Sequence, residues 1–351
     1  MSQTEAPVLI EVRNHVGYLT LNRPAGLNAV TLPMVHILHR QLQTWADEPE
    51  IVAVILRAAG EKAFCAGGDI RMLYDSHKND DNLRWAFFEQ EYALDQYIHA
   101  YSKPLLALMN GYVLGGGMGL VQGASLRVIS ERTRMGMPEV GIGYFPDVGG
   151  SYFLSRLPNN LGIYMGVTGN HVDAADALYA GLADHCVPHE RFAELQQQLD
   201  LQDWHLPARE TLTGLLASLA TRELPEASFK VLEPAIEQHF SHASIPAIRE
   251  SLAAEQRPEY RNWAVETLNT IDSRSPLAVS VTLEMLRRGR ELPLAECFAM
   301  ELHLDRQWFD HGDIIEGVRA LIVDKDKNPR WNPPTLAEVT PQRIAAFFAG
   351  I

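Results

Sequence analysis

Gly115-Gly116-Gly117-Met118-Gly119 is the stretch that decides the fold, because it follows an apolar segment and opens a helical one. A glycine cluster lets the backbone approach a ligand closely and point N–H groups at it. Downstream, Met137-Pro138-Glu139 and Phe145-Pro146-Asp147 place two carboxylates close together in the chain. Donors for a developing negative charge, followed by acidic side chains, predict an enzyme.

A second glycine turn, Gly67-Gly68, follows another apolar segment and precedes a helix expected from Ile70. Taken alone, the Gly67-Gly68 turn is better explained by a plain strand–turn–helix junction, and the Gly115–Gly119 turn, which tight helix–strand packing also explains, is weak evidence of a ligand site. Two such turns after two buried strands predict a matched pair of N–H donors, which is an oxyanion hole. A dinucleotide-binding fingerprint fails because position 120 is Leu120, and no P-loop lysine follows the glycines.

Glu139 is surrounded in the sequence by apolar residues, aromatic residues and glycines. A carboxyl group in such surroundings is desolvated, which raises its pKa and suits it to acid–base or nucleophilic chemistry. The simpler interpretation of Glu139 is a helix cap or an ion-pair partner. For Asp147, which precedes Val148-Gly149-Gly150, the simpler interpretation is a cap of the next helix.

The first 200 residues alternate between strand-like and helix-like segments. Nearly continuous apolar runs predict strands buried on both faces at 51–57, 105–110 and 126–130. This alternation predicts an α/β fold with parallel strand pairing. Residues 201–351 are mostly helical in pattern, with one strand-like run at Ala320–Val323. We therefore predict an α/β core at 1–200 and a mainly helical region at 201–351.

Composition sets limits on the partners of this chain of 351 residues. Its hydrophobic residues make up 46% and its charged residues 21%, which is typical of a globular protein. The formal net charge of −14 argues against a nucleic-acid binder, since such proteins carry a basic face. No apolar run predicts a membrane span.

The three cysteines, Cys65, Cys186 and Cys297, are far apart in the sequence and odd in number. They predict a reducing compartment rather than a disulfide framework. The first residues show no secretory signal pattern, so the cytoplasm is the expected location. Asp184-His185-Cys186 with His189 contains metal-binding residue types, but it lacks the usual zinc spacing, and no metal site is predicted.

Together these motifs resemble the crotonase (enoyl-CoA hydratase/isomerase) superfamily over about residues 8–339. The tracts that carry the resemblance are Leu19–Pro24, Asn28–Val30, Lys62–Ile70, Lys103-Pro104, Asn110-Gly111 and Gly115–Gly117. A more specific resemblance is to the 3-hydroxyisobutyryl-CoA hydrolase branch. Its marks are Phe88–Tyr92, Met137–Glu139, Phe145–Gly150, Glu316–Ala320, Asp324–Asp326 and Pro329–Trp331.

The resemblance implies a crotonase-like spiral of stacked ββα units followed by a helical C-terminal region. It implies an acyl-CoA thioester whose carbonyl oxygen lies between the N–H groups of Gly68 and Gly116. It makes Glu139 and Asp147 the catalytic carboxylates. It also assigns substrate-binding positions to Glu91, Gly67 and Gly115. CoA then enters as part of the substrate, with no other cofactor and no metal, and a homo-oligomer is one of the states left open.

One departure from the hydratase pattern concerns Gly119. A hydratase of this superfamily needs a second glutamate three residues after the oxyanion glycine, and that position here is Gly119. The expected activity is therefore hydrolysis of a short 3-hydroxyacyl-CoA, with 3-hydroxyisobutyryl-CoA of valine catabolism as the expected substrate. The alternatives are an enoyl-CoA hydratase or isomerase and a non-catalytic CoA-binding protein. Whether Glu139 attacks directly or activates water stays open.

Overall fold

The computed structural model describes residues 6–221 and 223–351. The strands are β1 (Val8–Arg13), β2 (Val16–Leu21), β3 (Ala53–Ala58), β4 (Ala63–Cys65), β5 (Leu105–Met109), β6 (Tyr112–Leu114), β7 (Leu126–Ile129), β8 (Arg134–Gly136) and β9 (His185–Cys186). They form a six-stranded sheet in the order β1-β2-β3-β5-β7-β9 and a three-stranded sheet in the order β4-β6-β8. From β3 onward, successive strands alternate between the two sheets, which is the arrangement that ββα repeats produce.

Strand pairing follows the sequence pattern closely. β1 and β2 form an antiparallel hairpin, and the following pairs of the six-stranded sheet are parallel. Asn14 and His15 make the hairpin turn with φ of 44° and 66°, as a two-residue turn with left-handed residues requires. The residues of β2 are all buried, as expected for a strand with neighbours on both sides.

Helices make up most of the remaining chain. In the first part of the chain they are α1 (Leu32–Asp47), α2 (Ile70–Asn79), α3 (Leu83–His99), α4 (Gly116–Gln122), α5 (Gly150–Phe153), α6 (Leu161–Thr168), α7 (Ala174–Tyr179), α8 (Phe192–Leu201) and α9 (Ala208–Leu219). The later ones are α10 (Ser228–Phe240), α11 (Ile245–Ala253), α12 (Pro258–Asp272), α13 (Pro276–Glu291), α14 (Leu294–His311), α15 (Ile314–Val318) and α16 (Pro341–Phe347). The helical character predicted for the C-terminal region is thus present.

The chain forms two compact units that are interleaved along the sequence. The first comprises the described residues up to Asp69 together with Gln90–Met135 and Val172–Ala227, and the second comprises Ile70–Glu89, Gly136–His171 and Ser228–Ile351. The boundary predicted between residues 200 and 201 stays a prediction.

In the first unit, one face of the six-stranded sheet is covered by α8 and α9. Their Leu195, Leu199, Leu212 and Leu216 pack in one cluster with the apolar side chains of β2, β3, β5 and β7. This burial fixes β2, β3, β5 and β7. Two further turns follow β4 and β6 of the three-stranded sheet. These turns carry the two glycine tracts.

In the second unit, α13 packs on α5 and α6, and α14 packs on α5. The contact between α13 and α5 is close, since a Cβ on Gly289 would lie 2.2 Å from the Ser151 carbonyl oxygen. Only glycine fits there, and α5 is held against both long helices.

The strand-like run at Ala320–Val323 is wrong as a strand prediction. The structure has a π-helical turn at Arg319–Val323, which continues directly from α15. This apolar run, which ends in the β-branched residues Ile322 and Val323, extends a helix that has already begun, so its backbone bonds are made locally. Helical context here overrides the residue preference for strands.

Candidate active site

The two predicted oxyanion glycines lie together in the first unit. The backbone of Val30 bridges the turn after β4 by bonding to Gly67 O and to Asp69 N, both at 2.9 Å. Gly68 lies between these two bonds, and Gly116 is the first residue of α4. A Cβ on Gly116 would be only 3.2 Å from the Gly68 nitrogen. The first N–H of a helix has no partner within the helix, so both N–H groups suit one shared acceptor.

Glycine is required in these tracts by close approach of the backbone. A Cβ on Gly117 would lie 2.6 Å from the Cys65 carbonyl oxygen, so α4 rests directly on β4. Gly67 and Gly115 have φ of 108° and 51°, which favour glycine. Tight packing and N–H presentation, which compete as explanations in the sequence, are both served by the same glycines.

Glu91 lies beside these glycines. It is buried, and its Oε1 would be 2.8 Å from a Cβ on Gly116. Asp95, one helical turn further along α3, is also buried. Burial, with the charges of Glu91 and Asp95 adding to it, raises the pKa of the Cys65 thiol to about 12. Cys65 is therefore a neutral thiol and unsuited to be the nucleophile.

Glu139 lies in the second unit, at the start of a 3-10 helix, Glu139–Ile142. The helix has no side-chain cap, and Glu139 makes no ion pair within the described residues. The side chain is 8% exposed, and its Oε2 is buried without a hydrogen-bond partner in the described part of the chain. Burial, and then the charge of Asp147, raise the pKa of Glu139 well above its ordinary value. A buried carboxyl group with a bare oxygen suits a base or a nucleophile.

Asp147 also lies in the second unit and is 6% exposed. Its backbone carbonyl accepts a bond from the Gly150 N–H at 2.7 Å, which closes the turn into α5. The N-cap residue of α5 is Gly149, which has no side chain, so Asp147 is not the N-cap residue of this helix. Because the charge of Asp147 acts on Glu139, the structure brings the two predicted carboxylates into one electrostatic environment.

Asp184, one of the four residues Asp184, His185, Cys186 and His189 considered above as metal ligands, forms an ion pair. Asp184 pairs with Arg127 through Oδ1 and Nη2 at 2.7 Å. No group of three His, Cys, Asp or Glu side chains that could hold a metal ion is present in residues 6–221 and 223–351. In the same residues, no helix has the length and apolar character needed to cross a membrane.

Comparison with models of known protein families identifies the family of this chain. The enoyl-CoA hydratase/isomerase model matches residues 16–348. This chain belongs to the enoyl-CoA hydratase/isomerase family, and the crotonase-like fold and the resemblance found in the sequence are confirmed.

Within the family, this chain is similar over nearly its whole length to proteins named 3-hydroxyisobutyryl-CoA hydrolase. The chain is 40% identical over 340 residues to the mitochondrial 3-hydroxyisobutyryl-CoA hydrolase of Xenopus tropicalis, covering 95% of this chain and 86% of that protein. It is 36% identical over 345 residues to the human protein of the same name, covering 98% and 89%.

Two solved structures are similar over nearly the whole chain. A protein described as a carnitinyl-CoA dehydratase from Mycobacterium thermoresistibile has a TM-score of 0.90 and 37% identity, covering 98% of this chain and 97% of that one. A protein described as an enoyl-CoA hydratase from Rhodobacter sphaeroides has a TM-score of 0.87 and 35% identity, with the same coverage. These two proteins are named for dehydration and hydration, whereas the relatives above are named for hydrolysis. The choice between these reactions for this chain therefore depends on its site residues.

Sequence reasoning missed Glu301, which lies in a correctly predicted helix. Its side chain is fully buried and accepts the Gly149 N–H at 2.7 Å, on the turn that carries Asp147. A signal was present, because position 301 falls on the inward face of α14 with Phe298 and Trp308. A charged residue on an apolar helix face needs a partner.

Proposed function

We propose that this protein hydrolyses short 3-hydroxyacyl-CoA thioesters, with 3-hydroxyisobutyryl-CoA as the substrate, giving 3-hydroxyisobutyrate and CoA. The hydrolases at 36–40% identity support this activity. The observation that carries it is the pair of buried carboxyl groups, Glu139 and Asp147, in a chain that has Gly119 where hydration needs a glutamate.

The chemistry of hydrolysis fits these groups. The N–H groups of Gly68 and Gly116 stabilise the oxyanion that forms on the thioester carbonyl, and one such donor is typically worth about 2.7–4 kcal/mol. Water adds to the carbonyl carbon, the carbon–sulfur bond breaks, and the CoA sulfur takes up the proton that water releases. Glu139 carries that proton from water to sulfur, while Asp147 orients the water or the substrate hydroxyl.

A second route reaches the same products. The Glu139 carboxylate attacks the thioester carbon, and CoA leaves as a thiolate that takes a proton from solvent. Water then cleaves the mixed anhydride, which releases the product acid and restores the Glu139 carboxyl group. Single-turnover hydrolysis in ¹⁸O-water separates the routes, because label in the Glu139 side chain arises only from an anhydride. Label confined to the product acid would exclude an anhydride that water opens at the Glu139 carbonyl.

The rate should depend on pH through Glu139. The neutral acid neither accepts a proton nor attacks, so kcat/KM should rise with pH through the raised pKa of Glu139, well above the ordinary value of 4.5. Asp147→Asn removes the neighbouring negative charge, so the acid limb of the remaining activity should move to lower pH. Profiles of kcat/KM against pH for both proteins test this. A native limb near the ordinary value would contradict the assignment.

Hydration or dehydration is the second candidate, favoured by the names of the two structural neighbours. α4 has the sequence GGMGLVQ and therefore offers no carboxylate at or near Gly119. With crotonyl-CoA, a hydratase consumes the enoyl absorbance without releasing thiol.

Substrate assays separate these readings. Free thiol should appear from 3-hydroxyisobutyryl-CoA and not from crotonyl-CoA, with 3-hydroxypropionyl-CoA included to define the acyl group. Loss of enoyl absorbance without thiol from any substrate would favour the hydratase. Binding of CoA with no turnover at all would favour a non-catalytic protein and sink the hydrolase proposal.

The remaining parts of the proposal concern partners and location. We propose that CoA enters only as part of the substrate, that no other cofactor is needed, and that the reaction serves valine catabolism. Cys65, Cys186 and Cys297 are free thiols, which supports a reducing compartment. The cytoplasm stays the proposed location, although the relatives are named as mitochondrial.

A further inference from the structure

The turn that carries Asp147 is held by one face of α14. At its start, Trp308 Nε1 donates to the Gly143 carbonyl at 2.7 Å, and the Tyr144 hydroxyl donates to Asp305 Oδ1. Both α14 residues are buried. Positions separated by three and four residues lie on one side of a helix, so the same face continues one turn back to Glu301.

Glu301 holds the other end of the turn. Its Oε2 accepts the Gly149 N–H at 2.7 Å, and its Oε1 accepts the Ser151 N–H at 2.8 Å and the Ser151 hydroxyl at 2.5 Å. The side chain is fully buried. The carboxyl group takes the place of a cap for α5, which has none of its own.

The backbone between Asp147 and Glu301's partners is strained. Val148 has a φ of 51°, a left-handed conformation that is rare for a β-branched residue. Gly149 follows with a φ of 85°, and a Cβ there would be 3.0 Å from the Phe298 ring. Such a conformation persists only where the surroundings impose it. Gly149, directly after Val148, is also the first residue of the turn that is hydrogen-bonded to Glu301.

We infer that Glu301 is a positioning residue, whose carboxyl group holds the Val148-Gly149 turn in the conformation that directs the Asp147 side chain for catalysis. This inference rests on the proposed function and deepens it. It explains a buried acid that has no place in the thioester chemistry itself. Burial raises the pKa of Glu301 to about 8, with the charge of Asp147 adding to the effect, so the two carboxyl groups also share an electrostatic environment.

The test is a double-mutant cycle between Glu301 and Asp147. Glu301→Gln keeps the shape of the side chain but replaces one carboxyl oxygen with an NH₂ group, which cannot accept a hydrogen bond. One of the two bonds from the backbone N–H groups of Gly149 and Ser151 is therefore lost. We expect kcat for 3-hydroxyisobutyryl-CoA to fall roughly 10–100-fold with KM nearly unchanged. In an Asp147→Asn background, the same change should cost at most 2–3-fold, because the residue that Glu301 positions is already lost.

Two further variants keep the test decisive. Ser151→Ala removes only the hydrogen bond from the Ser151 hydroxyl to Glu301, so we expect kcat to fall by a few fold. If Glu301→Gln does not fold, Ser151→Ala replaces it in the double-mutant cycle. Met300→Ala trims a buried neighbour on α14 that lines a separate cleft with Glu296 and Ala299. It should lower thermal stability and leave kcat unchanged.

The outcomes separate this inference from the proposed function. If Asp147→Asn alone costs nothing, the catalytic role of Asp147 fails. If Asp147→Asn is costly and Glu301→Gln is not, only the positioning role fails. Equal losses from Glu301→Gln in both backgrounds would show that Glu301 acts through the fold rather than through Asp147, and would also overturn the inference.

Discussion

Glu139→Gln is expected to lower kcat for 3-hydroxyisobutyryl-CoA hydrolysis by roughly 10³-fold or more, since it removes the proposed base or nucleophile. The amide has nearly the same shape but neither ionises nor forms an anhydride. Steady-state thiol release measures kcat, and calorimetry with CoA measures binding. Binding should change little, because the substitution leaves the glycine turns untouched.

The fold of this variant should survive. A carboxyl group whose pKa is raised in the folded state stabilises it at low pH, and that contribution is lost as pH rises through the raised pKa. At neutral pH the Gln variant should therefore melt at the same temperature or higher. Glu296→Gln, an exposed change on α14, is the matched control and should leave kcat unchanged. Native kcat in Glu139→Gln would remove Glu139 from the mechanism.

The glycine turns were predictable because their signal is local. Gly67-Gly68 and Gly115–Gly117 each follow an apolar strand, and strands of a parallel sheet place such turns at one edge. The sequence does not give distances, however. Only the structure shows that Gly116 and Gly68 approach so closely that a Cβ on Gly116 would be 3.2 Å from the Gly68 nitrogen.

The role of Glu301 could not be predicted in the same way. Its partner Gly149 is 152 positions away in the chain, so no local pattern links the two. A buried acid on α14 predicts only that some donor faces it. The strand-like run at Ala320–Val323 failed for a related reason, since four residues do not reveal that a helix already leads into them.

The raised pKa of Glu139 has one cause that the sequence predicts and one that it does not. Glu139 gains its raised pKa first from desolvation and then from Asp147. The apolar and glycine-rich sequence around it predicts the first cause. The second depends on the turn at Val148, which is a tertiary feature. Sequence therefore predicts that Glu139 is reactive, while the structure indicates what tunes it.

Gly116→Ala is expected to reduce kcat by about 10²–10³-fold, the usual cost of losing one oxyanion donor. The added Cβ would lie 2.8 Å from Glu91 Oε1 and 3.2 Å from the Gly68 nitrogen. The Glu91 side chain can move, but the Gly68 backbone is held by the bridge to Val30. The methyl group would therefore lie close to the Gly68 N–H, at the place proposed for the thioester oxygen.

The backbone itself tolerates this change, since Gly116 is helical and alanine is a better helix former. Gly214→Ala is the matched control, because Gly214 is also helical and a Cβ there meets nothing within 4 Å. It should leave kcat unchanged and raise the melting temperature slightly. The two variants differ only in what the methyl group touches. If Gly116→Ala is as active as Gly214→Ala, the thioester oxygen does not lie between Gly68 and Gly116, and the oxyanion hole must be sought elsewhere.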